Sequence, residues 1–228
     1  MTTRLSLFSA LSVKKALDEV LLDAFTKEQA VDVDVTFDPT TILVKKIAEG
    51  ARPDVVIAVS ESFTELAASG AVTPESRVVL AKSGIGIATA PGLASPDITT
   101  VDALRTALTS ARSVAYSRSG ASGIYFAGLI RDLGIEAEVN ARATVVEKGF
   151  TALAVTDGRA DLAVQQISEL KFVPQARIIG PLPDGAQHYS ELSAALGTSA
   201  APEAAGLLRF LSDPEAKTAY RDAGLITD

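Results

Sequence analysis

Along most of this chain, short apolar runs of β type alternate with longer stretches of helical period, and that alternation confines it to α/β architectures. Leu5 to Phe8, Val31 to Phe37, Val55 to Val59, Ser113 to Tyr116, Thr144 to Val146 and Leu162 to Val164 read as strands. Val13 to Phe25, Thr41 to Ala48, Phe63 to Ala68, Val101 to Leu108, Gly123 to Leu133 and Gly149 to Val155 read as the helices between them. A strand, a helix and a further strand in succession predict mostly parallel sheets.

Two β-rich stretches break the rhythm: Val78 to Ala90, with Gly84 and Gly86 inside it, and His188 to Thr198, with Gly197. Both are longer than a typical strand and are read as crossings between two lobes. The predicted division is a discontinuous first lobe of residues 1–80 plus 187–228, and a second lobe of residues 81–186. The tail, Pro202 to Phe210 and Pro214 to Ala223, reads as two helices, each with proline in its first turn, where a missing N–H costs nothing.

Composition narrows the functions. With 47% hydrophobic and 21% charged residues, the 228-residue chain can bury a sizeable core, which excludes disorder. No apolar run approaches the roughly 20 residues of a membrane helix, so no membrane insertion is expected. The net charge of −7 repels nucleic acid, and no basic stripe offsets it. With no cysteine and one histidine, His188, thiolate chemistry is excluded and a transition-metal centre disfavoured. Neither a metal nor a cofactor is expected. Met1-Thr2-Thr3-Arg4 runs straight into Leu5 to Phe8 without an export-signal pattern, giving two expectations. The protein is cytoplasmic, or it is periplasmic or extracellular with its signal removed.

In open α/β sheets, ligands bind at the carboxyl ends of strands, where helix N-termini direct unsatisfied N–H groups. Four strand-to-helix junctions carry small polar residues: Ser9 to Ser12, Asp38 to Thr41, Ser117 to Gly123, and Val146 to Gly149. Hydroxyls cap helices routinely, for about 1 kcal/mol each. Four such junctions on one class of strand end point beyond capping, to a small anion held locally against an acidic surface. The Ser117 to Gly123 loop lacks the Gly-Lys-Ser/Thr ending of a P-loop, and no Gly-x-Ser-x-Gly elbow occurs. Gly84-Ile85-Gly86 starts a dinucleotide-type pattern without completing it. His188 is read as a structural or rim residue.

Phe8-Ser9-Ala10-Leu11-Ser12-Val13-Lys14-Lys15-Ala16-Leu17 resembles the opening of the molybdate-binding proteins of ABC transporters, where Phe-Ala-Ala-Ala-Ser-Leu runs into a helix ending Ala-Leu. Phe37 to Leu43 falls where that family has Phe and a Ser-rich turn, and Gly50 to Ala58 looks like its Gly-Ala-Pro-Ala-Asp-Leu-Phe-Ile-Ser. Gly123-Ile124-Tyr125 with Leu133-Gly134 looks like its second-lobe helix. The resemblance runs in order over most of the chain. It implies a two-lobed periplasmic-binding-protein-like (type II) fold with a ligand cleft between the lobes.

The resemblance also implies ligand residues. The family's oxyanion-binding serines fall on Ser12 and Thr40, its backbone donors on Ser122 and Lys148, and its ligand-bonding tyrosine on Gln166. Two of these depart from the family: Gln166 puts an amide where it has a phenol, and Lys148 adds a charge. Arg118 supplies a second cation near Ser122. Neutral donors suit a compact oxyanion, so added cations point to a di- or tricarboxylate.

Two functions follow, from different classes. One is a solute-binding protein that closes over a small anion and serves an ABC transporter permease. The other, implied by the resemblance of aconitate isomerases to this family, is a cytoplasmic isomerase moving an allylic proton of a tricarboxylate, with Lys148, Glu147 and Asp38 as acid–base candidates.

Overall fold

The computed structural model describes residues 3–228; Met1 and Thr2, on which the reading of the chain's start partly rests, lie outside the described residues. Strand β1 (Arg4–Ser9) enters a helical run made of a 3-10 turn, Leu11–Val13, then α1 (Lys14–Ala16), a π turn, Leu17–Leu21, and α2 (Leu22–Gln29). There follow β2 (Asp32–Phe37), α3 (Thr40–Ala48), β3 (Val55–Val59), α4 (Phe63–Ala68) and β4 (Val78–Thr89). The middle of the chain forms α5 (Val101–Ser110), β5 (Val114–Ser117), α6 (Ala121–Asp132), α7 (Glu136–Asn140), β6 (Thr144–Val146), α8 (Ala152–Thr156), β7 (Leu162–Gln166), α9 (Ile167–Leu170) and β8 (Arg177–Pro181). It ends in β9 (Tyr189–Leu196), α10 (Ala204–Ser212) and α11 (Ala216–Asp222). The class is α/β. The last two helices start two residues beyond Pro202 and Pro214, so these prolines precede the regular helix rather than sit inside it.

The chain divides into two compact units, the residues up to Ser83 with Ser190–Asp228, and Gly84–Tyr189. In the first unit the strand order is β2-β1-β3-β9. Strand β1 is parallel to both neighbours, Leu7 lying opposite Val35 on one side and Val55 on the other, while β9 runs antiparallel to β3. The continuous apolar run of β3 is explained by burial on both faces. Val55 and Ile57 join a core with Leu5, Leu7, Phe25, Leu207 and Tyr220, whereas Val56 and Ala58 pack with Ile47, Phe63 and Leu66. Each such large side chain contributes about 1.5–3 kcal/mol on full burial.

In the second unit the order is β4-β7-β5-β6, with β8 on the other side of β4. Strand β5 is parallel to β6 and β7, and β4 antiparallel to β7 and β8. One sheet face packs Ile85, Ile87, Val164 and Leu162 against Leu104, Phe126 and Ile130. The other packs Ala88, Ala115 and Ala163 against Ala152, Val155 and Leu170, small residues that let helix α8 lie close to the strands. In both units the parallel strands end on a common edge, and the polar junctions follow those ends. Among the described residues no helix is long and apolar enough to cross a membrane.

Candidate functional site

In the first unit the edge is made by the residues after β1, β2 and β3. Ser9 and Ser12 are buried, and the Ser9 hydroxyl donates to the Ala10 carbonyl at 3.1 Å. Thr40 opens α3, and its Oγ1 accepts a hydrogen bond from the Val59 N–H at 3.1 Å. A hydroxyl that accepts from the backbone keeps its own O–H to donate, which is what an anion needs. Asp38 is 1% exposed, and its Oδ2 accepts from Lys46 Nζ at 2.6 Å. A buried carboxylate so paired holds the loop between β2 and α3 together.

In the second unit, the loop after β5 is held by its own atoms. Ser117 Oγ accepts from the Gly120 N–H at 3.0 Å, and the N–H groups of Gly123 and Ile124 both donate to the Gly120 carbonyl. The N–H groups of Ala121 and Ser122 precede these first bonds of α6, at the positive end of a 12-residue helix. Ser122 is 2% exposed and lies one turn before Phe126, which belongs to the core on that side of the sheet.

Gln166 ends β7. Side chains alternate along a strand, so Gln166 shares the face of Leu162 and Val164, which is the face of Phe126, while Gln165 shares that of Ala163. The two glutamines have opposite fates. Gln165 accepts from the Thr151 N–H at 2.8 Å and from its hydroxyl at 3.0 Å, and donates to the Gly149 carbonyl at 2.9 Å. It thereby clamps the entry to α8. Gln166 is 2% exposed, and its Oε1 has no hydrogen-bond partner.

The cations lie differently. Arg118 Nε donates to Glu147 Oε1 at 2.7 Å, with both side chains about two-thirds exposed, 65% and 71%. The Ser119 hydroxyl also donates to the Glu147 carbonyl and the Arg118 N–H to that of Val146. Arg118 and Glu147 therefore strap two loops to each other at the surface. Lys148 is exposed, in the bend before Gly149, whose φ of 100° suits a residue without a side chain.

Sequence reasoning passed over Ser60, at the end of β3. It is buried, its Oγ lies 2.6 Å from Ser193 Oγ, and Arg77 Nε donates to Ser193 Oγ at 3.2 Å. Its signal was present, since Val59-Ser60-Glu61-Ser62 is one more polar strand-to-helix junction. His188 stacks on Tyr125, with ring centres 4.7 Å apart, and the Tyr125 hydroxyl donates to the Ala186 carbonyl. Among the described residues, no three of His, Asp and Glu gather as a metal site.

Comparison with known proteins matches residues 5–226 to the family described as bacterial extracellular solute-binding protein. The chain is 35% identical over 231 residues to an aconitate isomerase of Pseudomonas sp, covering 98% of this chain and 87% of that one. Its structure is similar to that of the periplasmic molybdate-binding protein of Azotobacter vinelandii, with a TM-score of 0.81, 20% identity, and 98% and 99% of the two chains covered. It is also similar to a tungstate ABC transporter protein of Geobacter sulfurreducens, with a TM-score of 0.71, 17% identity, and 96% and 98% covered. At such identities these two structures speak for the fold, which is periplasmic-binding-protein-like, of type II.

Proposed function

The chain belongs to the bacterial extracellular solute-binding protein family, and we propose that it binds a small di- or tricarboxylate using donors at its strand ends. The observation that carries this reading is Gln166, a buried amide at the end of β7 whose Oε1 has no hydrogen-bond partner, on the strand face that Phe126 of α6 covers. An unmet polar group costs about 1–3 kcal/mol, so its retention at a strand end points to a ligand that meets it. Either end of the amide can face the ligand, the N–H₂ donating to a carboxylate oxygen or the carbonyl accepting from a hydroxyl. Ser12, Thr40 and Ser122 supply further neutral donors, and Lys148 an exposed cation. Arg118, spent on Glu147, contributes by holding the loop in place. On this reading the partner is an ABC transporter permease.

A second reading is favoured by the 35% identity to an aconitate isomerase: the same site moves an allylic proton of a tricarboxylate. Lys148, Glu147 and Asp38 are the acid–base candidates for that step, Asp38 bearing a bond from Lys46 and Glu147 one from Arg118.

Thermal unfolding with molybdate, tungstate, sulfate, phosphate, citrate and cis- and trans-aconitate tests the first reading. A carboxylate at a hundred times its Kd is expected to add about 2.7 kcal/mol of apparent stability. Gln166→Leu is expected to weaken that ligand about tenfold with the unfolding temperature of the free protein preserved. An NMR time course of the aconitate isomers separates binding from turnover, with Lys148→Ala as the control. Molybdate binding with no carboxylate binding would sink the carboxylate assignment.

A further inference from the structure

One concavity of the first unit is built from helices and lies apart from the strand ends. A groove of about 630 Å³ runs between the π turn with α2 on one side and α10 with the start of α11 on the other. Its apolar lining includes small residues: Val20 and Ala24 stand at helical spacing on one wall, Gly206 and Phe210 at the same spacing on the other. Val20 is 49% exposed, an uncommon place for a valine on an otherwise charged helix face. The π turn that contains it shifts the register of the side chains that follow, and π turns inside helices recur at functional sites. The rim carries three carboxylates, Glu28, Asp213 and Glu215, against one guanidinium, Arg209.

We propose that this groove is a docking surface for a basic amphipathic helix of a partner protein. Two facing ridges of i, i+4 residues with small side chains between them accept the apolar stripe of a third helix, the helix-in-groove mode of recognition. The acidic rim selects the charge of the incoming helix, because lysines flanking its apolar stripe would meet Glu28, Glu215 and Asp213. An acidic helix of the same shape would be repelled by these carboxylates and by the net charge of −7. The proposal stands apart from the anion site, since none of its residues lies at a strand end.

The test uses the full chain and a synthetic helical peptide with leucines on one face and lysines on the other, beside its glutamate counterpart. Fluorescence anisotropy is expected to show binding of the lysine peptide that weakens as salt rises, and no binding of the glutamate peptide. Amide shifts are expected to centre on Val20, Ala24 and Phe210. Val20→Lys with Glu215→Lys, both at exposed positions, should lower affinity about tenfold or more. A charge pair outside the groove's lining, Glu61→Lys with Glu75→Lys, should leave the groove shifts in place and serves as the control for general charge. The proposal is overturned if the two double variants weaken binding equally, if the shifts lie elsewhere, or if sedimentation shows that the groove already joins two copies of this chain.

Discussion

A Cβ added at Gly123 would meet the Ser117 carbonyl oxygen at 1.8 Å, far inside contact distance. Glycine is therefore required where α6 leaves β5, and the first turn of the helix is brought onto the strand end because nothing stands between the two backbones. Gly123→Ala is expected to cost about 3 kcal/mol or more, at the upper end of overpacking effects, read by urea denaturation. A loss below about 1 kcal/mol would contradict that packing. Single residues also mark where sequence reading stopped. The junction serines could be counted along the chain as small polar residues at strand ends, whereas Gln166 entered only through the resemblance to the molybdate-binding proteins. The engagement of Arg118 with Glu147 was not legible, because it depends on the parallel register that sets Ser117 opposite Val146 and so brings the next residues of both strands together.

At the level of elements, β1, the entry to β3 and the segment before α10 are joined through one carboxylate. Asp54 Oδ2 accepts from the Ser6 N–H at 2.7 Å and the Ser6 hydroxyl at 2.8 Å, and Oδ1 accepts from the Ala201 N–H at 2.8 Å. Burial alone would raise its pKa, but the donors of Ala201 and Ser6 together prevail and hold it below the usual 3.8. The folded state therefore favours the charged form. This contribution to stability is fully present above pH 3.8 and is lost as pH falls through the lower folded value. Asp54→Asn is expected to lower stability at pH 7 by roughly 1–2 kcal/mol, allowing for solvent screening of a partly exposed group. The variant should also show a shallower loss in acid, measured by urea denaturation between neutral pH and pH 3. Elements were legible in proportion to their apolar content. Val55–Val59 stands where the pattern placed it because all five residues are apolar. By contrast, α7 was missed because Glu136–Asn140 buries only Val139, and β8 because Ile178 and Ile179 lie between Pro174 and the Gly180-Pro181 turn signal. The π turn was invisible to a search at a period of 3.6 residues.

For the whole molecule, each unit has apolar cores of its own, and each presents polar junctions at the ends of its parallel strands. Thr40→Val in the first unit and Ser122→Ala in the second are each expected to weaken carboxylate binding, which calorimetry can compare directly. The units differ in one further respect. Gly84–Tyr189 is a single stretch of chain, whereas the other unit is interrupted, its strand β3 completed by β9 and its core by Leu207, Leu211 and Tyr220. On the ribosome this sets a sequence of events, because the earliest residues made must wait for the last before their core can close. A nascent chain halted with Tyr189 just clear of the exit tunnel should yield one protease-resistant fragment, from the middle of the sequence. Protection of residues 4–83 should appear only after α11 emerges, so that late in its synthesis the protein is a folded segment with an open arm.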